Sequence, residues 1–592
     1  MVHYRVAVAD LHAHLFAVTL TVPGPAASQR LALPVWIPGS YMVREFSKHL
    51  QKLTAWQGRR QVPLAQIDKC SWQADCKPGV ALVLRYEVYA FDSSVRMAFL
   101  DANRGFFNPT SLCLQVAGQE DTPHELELIA PKKIASWQVA TGTLPLKGHK
   151  RVDKKGWGSY QAASYDALAD TPFEMGNFWS GSFRAAGVPH RFVVAGAGPA
   201  FDGERLLAEA QKICEAAIAF WHGSPGKPPF TSYVFMLNAV ADGYGGLEHG
   251  NSTALICNRK DLPRQVPSGG ATRQSEGYTT LKGLISHEYF HAWNVKRLRP
   301  AEFARYQYGG EQYTQLLWFF EGFTSYYDDL LLRRARLLDD AAYLKLLNKT
   351  INQVMQAPGR AVQSVAQASF DAWVKYYRQD ENTPNATVSY YTKGALVALC
   401  TDLSLRQGAA GGKAGATLDG VMRALWKRCK GGPMTEADFL AELEQASGRS
   451  FAADIAAWVH GTADLPLKAL LQQQGVVVHE DPAQMAQRLG LRVAEGPAGL
   501  QVKVVLRGGV AEQAGFCAGD EWLGLNGWRM QSLDDLALYA PAATARGKPK
   551  TMQALVSRDR HLLSLPLAAP PAQTTWRLAV QDAARVGAWL GA

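Results

Sequence analysis

The pattern of apolar and polar positions divides the chain into three regions of different character. Over the first 170 residues, apolar and polar side chains alternate in short stretches such as VHYRVAVA and LFAVTLTV, separated by Gly, Pro and Asp. Alternation with a period of two predicts strands that bury one face. We therefore expect residues 1–171 to form an N-terminal β-rich domain.

The middle region, residues 172–470, has a mixed pattern that becomes mainly helical. A predicted strand at 190–196 precedes a helix at 204–223, in which apolar residues recur every three to four positions, and a second strand follows at 232–239. The rest of this region is predominantly helical. We expect it to form one mostly helical domain.

The last region returns to short strands. Over residues 480–566 they alternate with Gly turns around one small helix, which predicts a compact β-rich module. Residues 567–592 begin with the proline-rich PLAAPPAQTT and are expected to be a C-terminal tail. The predicted fold class is therefore multidomain α+β.

Length and composition agree with this division. A chain of 592 residues is long enough for three or four domains, and 47% hydrophobic with 19% charged residues is typical of a globular protein. No run approaches the ~18 apolar residues of a spanning helix, and the N-terminus lacks the features of a signal peptide. We expect a cytoplasmic protein with no membrane partner.

Charge and cysteine content exclude two further classes. The net charge of +10 comes from basic residues scattered along the chain, whereas a nucleic-acid-binding protein concentrates them on one face, so no nucleic-acid partner is expected. The eight cysteines contain no C-x-x-C pair, which argues against a thiolate zinc site and for a reduced chain. The sequence carries no signal for an oligomeric state.

The segment LKGLISHEYFHAW contains the pattern H-E-x-x-H at His287, Glu288 and His291. On a helix, residues four apart lie on one face about 6 Å apart, so both imidazoles can bind one zinc ion. Glu288 is then placed to take a proton from a water molecule at that zinc. The flanking apolar residues place the motif on or beside a buried face, which argues against two incidental histidines.

A catalytic zinc needs a third protein ligand, and Glu321 is the candidate. It lies in LLWFFEGFTSYYDDLLLRR, a strongly apolar helical stretch, where a carboxylate is costly unless it is paired or bound to a metal. Asp328 and Asp329 are its rivals. They lie toward the charged end of the stretch, and we expect them to be solvated.

These motifs resemble the gluzincin metallopeptidases, the class of thermolysin and aminopeptidase N, and most closely the glycyl aminopeptidase family. That resemblance implies an N-terminal β-domain, a thermolysin-like catalytic domain, a C-terminal PDZ domain, one zinc ion and a preference for small N-terminal residues, Gly and Ala. The motifs that carry it span most of the chain: WIPGSYMVREF (36–46), GGLEHGNST (245–253), HEYFHAWNVKRLRP (287–300), WFFEGFTSYY (318–327), SYYTKG (389–394) and WVHGTADLP (458–466).

The resemblance assigns substrate-binding roles to the GGLEH segment. It is similar to the Gly-Ala-Met-Glu-Asn motif of aminopeptidase N, with His249 in place of Asn. By that match, Glu248 would hold the free α-ammonium group of a peptide substrate, and the backbone of Gly245 and Gly246 would run beside it as an edge strand. Without the zinc motif, a glycine turn with a surface Glu would explain the segment equally well.

The segment SYYTKG is similar to the Tyr-x-Lys-Gly segment of aminopeptidase N-like enzymes. The resemblance implies that Tyr391 donates a hydrogen bond to the oxyanion of the tetrahedral intermediate. Tyr390 is the alternative, since consecutive helical residues point about 100° apart and only one can face the metal. The spacing to Lys393 and Gly394 favours Tyr391.

Residues 489–565 look like a PDZ domain. Leu489, Gly490 and Leu491 would form its carboxylate-binding loop, whose backbone N–H groups can take the C-terminus of a peptide that adds a strand to the sheet. Two roles remain open for this module: capture of a C-terminal peptide ligand, or packing and dimer formation.

We expect a zinc aminopeptidase that acts on peptides with a free N-terminus. The sequence contains no G-x-S-x-G elbow, Walker A loop or dinucleotide-binding glycine motif. Two alternatives remain at this stage. One is a zinc endopeptidase with the same site, and the other is a PDZ-bearing scaffold or chaperone whose metal is structural or absent.

Overall fold

The computed structural model describes residues 1–131, 134–146, 152–265, 274–407, 415–497, 499–540 and 551–591. The chain divides into two compact units, each built from three segments. Unit 1 comprises Met1–Thr314, Tyr327–Leu337 and Asp419–Phe439, and unit 2 comprises Gln315–Tyr326, Leu338–Leu418 and Leu440–Ala592. Every helix of the described residues is too short or too polar to cross a lipid bilayer.

The strands of unit 1 are, in chain order, β1 (Val2–Asp10), β2 (Leu15–Val22), β3 (Ser28–Ala32), β4 (Leu50–Gln57), β5 (Arg60–Val62), β6 (Leu64–Gln66), β7 (Ser71–Asp75), β8 (Leu82–Tyr89), β9 (Ala98–Leu100), β10 (Arg104–Phe107), β11 (Gln115–Val116), β12 (His124–Ile129), β13 (Gln138–Thr141), β14 (Leu144–Pro145), β15 (Gly158–Ala162), β16 (Phe173–Gly176), β17 (Trp179–Ala185), β18 (Val188–Ala195), β19 (Tyr233–Val240), β20 (Gly245–Glu248), β21 (Ser252–Asn258), β22 (Arg299–Pro300) and β23 (Pro433–Met434). Those of unit 2 are β24 (Val476–Pro482), β25 (Leu491–Gly496), β26 (Gly499–Val505), β27 (Glu521–Leu525), β28 (Trp528–Arg529), β29 (Met552–Arg558), β30 (His561–Leu567) and β31 (Thr574–Val580).

The α-helices of the described residues are α1 (Pro109–Leu112), α2 (Tyr165–Ala169), α3 (Gly203–His222), α4 (Glu276–Phe290), α5 (Leu317–Arg334), α6 (Asp340–Met355), α7 (Val365–Phe370), α8 (Thr383–Ala386), α9 (Thr392–Arg406), α10 (Leu418–Arg428), α11 (Glu436–Ser447), α12 (Ala452–Ile455), α13 (Leu467–Gln473), α14 (Met485–Leu489), α15 (Val510–Ala514), α16 (Leu536–Tyr539) and α17 (Ala583–Leu590).

The N-terminal part of unit 1 is built from β-sheets, as the alternating pattern predicted. Its largest sheet has the strand order β14-β15-β12-β1-β2-β8-β4-β5. In β2, every second residue is buried, so one face enters an apolar core that includes Tyr4, Phe16 and Leu84. The prediction of an N-terminal all-β region is therefore confirmed.

A second sheet of unit 1, with the order β17-β18-β19-β21-β20, underlies the candidate site. The three strands β18, β19 and β21 run parallel, and β20 pairs antiparallel to β21 at the end of the sheet. Seven of the eight residues of β19, YVFMLNAV, are buried, as expected of a central strand covered on both faces. Helix α4 packs against β20 and β21, which sets the H-E-x-x-H residues beside this edge of the sheet.

Unit 2 combines helices with a sheet of order β25-β26-β27-β29-β30, to which β28 adds by pairing with β27. Its core contains Leu491, Val502, Trp522 and Val556. Asn385, on α8, donates to the carbonyl of Val505 at 2.8 Å and accepts from the backbone N–H of Arg507, also at 2.8 Å. These two hydrogen bonds connect the sheet to the helices of unit 2.

The segment predicted as a C-terminal tail, 567–592, contains regular structure. Strand β31 pairs antiparallel with β24 from Val476↔Val580 to Pro482↔Thr574. Helix α17 buries Val586, Trp589 and Leu590. The proline-rich start of the segment suggested a linker. The strand and helix that follow it pack against elements far away in sequence, and such long-range contacts cannot be predicted from local composition.

Candidate metal centre

The H-E-x-x-H residues lie at the C-terminal end of α4. The helix begins at its cap Ser275, whose side chain accepts from the N–H of Tyr278, and ends at Phe290, so that His291 is the C-terminal cap residue. The rings of His287 and His291 have their centroids 4.7 Å apart at an interplanar angle of 84°. The structure thus brings the two imidazoles together on one side of the helix end, as the spacing predicted.

Both imidazoles are held by hydrogen bonds from Nδ1. His287 Nδ1 donates to Oδ2 of Asp328 at 3.0 Å, and His291 Nδ1 donates to the backbone carbonyl of Asn294 at 2.7 Å. A carboxylate and a carbonyl only accept, so each Nδ1 carries a proton, and in the neutral form of each ring Nε2 then keeps its lone pair. Metal-ligating histidines are typically oriented in this way, and imidazole suits zinc. The pair therefore fits a zinc ion.

The prediction that Asp328 is solvated is wrong. Its side chain is only 16% exposed because it lies under His287. Burial raises the pKa of Asp328, and the hydrogen bond from His287 opposes that rise. Asp328 follows Glu321 by seven residues, or two turns of α5, so the two lie on the same face of the helix. That spacing was the signal that the sequence interpretation missed.

Glu288 lies against Gly246 of β20. It is buried, and a Cβ added to Gly246 would be 2.1 Å from its Oε1 and 2.3 Å from its Cδ. Only glycine leaves room for the carboxylate at this point. One donor atom from each of Glu248, Glu288 and His291 lies within 4.8 Å of the other two, so these groups face one small volume suited to a cation.

Glu248 is a buried carboxylate at the end of β20. It is 4% exposed, and within the described part of the chain its Oε1 has no hydrogen-bond partner. A Cβ added to Gly39, where φ is +94°, would be 2.4 Å from that oxygen. Gly39 belongs to the WIPGSYMVREF motif, whose contact with this site the sequence analysis did not foresee. A buried carboxylate oxygen that accepts no hydrogen bond is costly and favours a ligand that can donate to it.

The residue after Glu248 joins a buried ionic network. Asp170 accepts hydrogen bonds from Nδ1 of His249 at 3.3 Å and from the N–H of Gly250 at 2.8 Å, and it pairs with Nζ of Lys296 at 2.5 Å. Burial alone would raise the pKa of Asp170, but the charges of Lys296 and His249 hold it below its ordinary value. His249, which departs from the Asn of aminopeptidase N, thus fixes the end of β20.

Glu321 and Tyr391 belong to unit 2. Glu321 is 2% exposed, which agrees with the expected burial of its carboxylate in α5. Of the two neighbouring tyrosines, Tyr390 is fully buried, whereas Tyr391 is half-buried at the start of α9, with its hydroxyl 3.5 Å from that of Tyr377. Burial, together with the negative charge of Glu321, raises the pKa of Tyr391, which keeps the phenol protonated and able to donate.

Two glycines allow α5 and α9 to approach closely. A Cβ added to Gly394 would be 2.5 Å from the carbonyl oxygen of Trp318, and one added to Gly322 would be 2.5 Å from the backbone of Gly394. The glycines that follow Glu321 and Lys393 in the sequence therefore serve helix packing. Their contact fixes the position of Glu321 relative to Tyr391 within unit 2.

The predicted peptide loop of the C-terminal module is a helix-to-strand turn. Leu489 ends α14, Gly490 adopts the left-handed conformation with φ of +72°, and Leu491 begins β25. A cavity of about 1040 Å³ is lined by Gly490, Leu491, Val493 and Leu533, among others. In the described residues, β25 pairs only with β26 and so leaves one edge of this sheet open beside the cavity.

The two imidazoles fit a metal ion, and a glutamate and an edge strand lie beside them, an arrangement suited to metal-assisted hydrolysis of a peptide. Family models agree: the peptidase M61 N-terminal domain matches residues 3–177, and the M61 glycyl aminopeptidase model matches residues 280–397. The crystal structure of an aminopeptidase N family protein from Idiomarina loihiensis is 37% identical, covers 100% of both chains and superposes with a TM-score of 0.91. The chain belongs to the M61 glycyl aminopeptidase family.

Two further solved structures have lower sequence identity to the chain and lower TM-scores. The M1 zinc metallopeptidase from Deinococcus radiodurans is 15% identical, with a TM-score of 0.48, and the match covers 79% of this chain and 94% of that one. A mutant of the same enzyme, bound to a Tyr-Ser-Ala substrate, gives 14% identity and a TM-score of 0.47 over the same shares of the two chains. No curated protein sequence matches the chain.

Proposed function

We propose that the protein is a zinc-dependent aminopeptidase that removes small N-terminal residues, Gly and Ala, from peptides. The observation that carries the proposal is the geometry around α4. The Nδ1 atoms of His287 and His291 are both committed to acceptors, while Glu288 and the unpartnered carboxylate oxygen of Glu248 face the same small volume. The preference for small residues is supported by the family to which the chain belongs.

We assign the metal ligands to His287, His291 and Glu321. The support for Glu321 is its burial and its place on α5, two turns before the aspartate that orients His287. Two imidazoles and one carboxylate are a common donor set for catalytic zinc. Zinc bound there supplies Lewis-acid chemistry, polarising a carbonyl and lowering the pKa of water.

The side chains around the proposed metal site have separate roles in hydrolysis. Glu288 accepts the proton of the attacking water and delivers it to the leaving amine. Tyr391 donates a hydrogen bond to the oxyanion, and its raised pKa keeps it protonated for this role. Both groups are buried or half-buried, where such interactions are stronger than in water.

Glu248 and β20 support exopeptidase action. The buried carboxylate of Glu248 would hold the α-ammonium group of the substrate, which would donate to the oxygen that has no hydrogen-bond partner. The backbone of Gly245 and Gly246 would run beside the substrate, because β20 is the last strand of its sheet. A peptide whose N-terminus is acetylated lacks the charge that Glu248 requires.

For the domain organisation, we propose a β-domain over 1–171, a catalytic domain over 172–470, a PDZ domain over 480–566 and a C-terminal segment over 567–592. The loop of Leu489, Gly490 and Leu491 beside an open strand edge supports binding of a C-terminal peptide ligand.

Metal analysis combined with a chromogenic assay tests the enzymatic proposal. We expect one zinc per chain and hydrolysis of Gly- and Ala-p-nitroanilide that is lost on chelation and restored by zinc. Glu288→Gln should lower kcat by at least about 100-fold, since it removes the general base. Glu215→Gln, an exposed position on α3, is the matched control and should leave kcat unchanged. Unchanged hydrolysis by Glu288→Gln would refute the mechanism.

A second comparison separates aminopeptidase from endopeptidase action. A peptide and its N-acetylated form are offered to the wild type and to Glu248→Ala. We expect the acetylated peptide to be spared by the wild type, and Glu248→Ala to lose cleavage of the free peptide. Cleavage of both peptides at similar rates would instead establish an endopeptidase.

A further inference from the structure

Arg96 reaches the edge strand β20 from the N-terminal β-region. Its Nη2 donates to the carbonyl oxygen of Gly246 at 3.1 Å. Its Nη1 lies 3.6 Å from the position that a Cβ on Gly245 would occupy. The guanidinium therefore lies beside the two glycines, next to the point at which Glu288 meets Gly246.

A buried side chain fixes the turn that presents Arg96. Asn108 is fully buried, and its Nδ2 donates to the carbonyls of Val95 at 3.0 Å and Met97 at 3.4 Å, on either side of Arg96. Val95 and Met97 are themselves buried in the core of the β-region. The backbone on both sides of Arg96 is thus anchored, and the side chain is held toward β20.

In the part of the chain that the structure describes, no carboxylate lies within 4 Å of the guanidinium of Arg96 to form an ion pair with it. Among the described residues, the guanidinium has one hydrogen-bond acceptor, the neutral carbonyl of Gly246, and its Nε is buried without a partner. Arg104, by contrast, makes two hydrogen bonds to the carboxylate of Glu174. The planar guanidinium group is suited to binding a carboxylate. Because the guanidinium of Arg96 has no such partner and lies next to the candidate site, it favours an anionic ligand.

The register of β20 shows which part of a substrate would meet Arg96. In the proposed function, Glu248 would mark the α-ammonium end of the substrate. Gly246, where an added Cβ would be 2.1 Å from Oε1 of Glu288, would mark the bond that is cleaved. Gly245 lies one residue further along, about 3.3 Å beyond, on the side of the leaving amine. In a dipeptide, the C-terminal carboxylate lies one residue beyond the cleaved bond.

We propose that Arg96 binds the C-terminal carboxylate of the substrate, so that dipeptides with a small N-terminal residue and a free C-terminus are the preferred substrate class. This inference rests on the proposed aminopeptidase function. Arg96 and Glu248 would then recognise the two opposite charges of a dipeptide zwitterion from either side of the scissile bond. Arg96 acts on substrate binding and takes no part in proton transfer.

Kinetics with a matched pair of substrates tests the proposal. Glycylalanine and glycylalaninamide differ only in the terminal charge, so the ratio of their kcat/KM values measures recognition of the carboxylate. We expect Arg96→Gln to lower that ratio by about 10- to 100-fold, mainly through the KM of the dipeptide, as for loss of a charge-assisted hydrogen-bond pair. Arg96→Lys, which keeps the charge, should recover part of the ratio.

Arg184→Gln is the control, because Arg184 also donates to a glycine carbonyl, that of Gly187, but from an exposed position. It should leave the ratio as in the wild type. A ratio unchanged in Arg96→Gln would overturn the inference while the aminopeptidase activity stands. A wild type that hydrolyses neither substrate would refute the proposed function itself.

Binding without turnover gives an independent measurement. In a Glu288→Gln background, calorimetric titration should show glycylalanine binding more tightly than glycylalaninamide, and adding Arg96→Gln should remove most of that difference. If the two peptides bind equally tightly to the Glu288→Gln variant, which retains Arg96, the guanidinium does not recognise the carboxylate. Thermal melts of each variant check that the fold is retained.

Discussion

Replacing Gly246 by alanine should displace the carboxylate of Glu288. The added Cβ would stand 2.1 Å from Oε1, whereas ordinary contact begins at 3.4 Å, so the carboxylate must recede by about 1.3 Å. The backbone of Gly246 is ordinary extended strand, which alanine adopts without strain. A shift of about 1 Å in a reacting group can cost roughly 100-fold in rate, or about 2.7 kcal/mol. We therefore expect kcat for Gly-p-nitroanilide to fall about 100-fold.

The control for this variant is Gly24→Ala, because a Cβ at Gly24 meets nothing within 4 Å. Both proteins should melt at nearly the same temperature, and only Gly246→Ala should lose activity. The aminopeptidase N motif has alanine at the matching place, which makes the test demanding. A fully active Gly246→Ala would show that the Glu288 carboxylate can move aside, and the packing argument would then be wrong.

Three further changes test other parts of the structure. Asp328→Ala should weaken zinc binding by about 10- to 100-fold in a chelator competition, because His287, which we propose as a ligand, loses its orienting acceptor; unaltered affinity would contradict that role. Arg104→Met leaves the carboxylate of Glu174, 2% exposed, without its charge partner, and should lower the free energy of unfolding by about 3 kcal/mol in a denaturant titration; a loss below about 1 kcal/mol would refute this. Burial lowers the pKa of His190 to about 4 from its ordinary 6.5, so the folded state keeps this ring neutral. Stability should therefore be lost as pH falls from 6.5 toward 4, by on the order of 3 kcal/mol, and a pH dependence as steep in His190→Gln would exclude His190 as its source.

Local patterns predicted the parts of the fold that depend on neighbouring residues. Alternation located the strands of the N-terminal β-region, because burial of one face of a strand imposes a period of two. The H-E-x-x-H spacing placed His287 and His291 together, because helix geometry alone determines it. The apolar surroundings of Glu321 predicted its burial for the same local reason.

Interactions between distant segments were missed. Asp328 was predicted to be solvated because charged residues follow it in the sequence. Its hydrogen-bond partner, His287, is 41 residues away, so the local sequence did not indicate the contact. Gly39 and Arg96 reach the site from the N-terminal region over more than 140 residues, and no short motif encodes such a contact. The pairing of β31 with β24 joins segments about 100 residues apart, which hid it from a local interpretation of the C-terminal segment.

The position of β20 at the edge of its sheet also bears on the risk of aggregation. An exposed strand edge is a template on which another chain can pair, and proteins protect such edges with short strands, charges and covering side chains. β20 has only four residues, ends in the carboxylate of Glu248 and has the carbonyl of Gly246 occupied by Arg96. The features that would select a small zwitterionic peptide therefore also act against edge-to-edge aggregation, so variants at Arg96 should be checked for solubility as well as for catalysis.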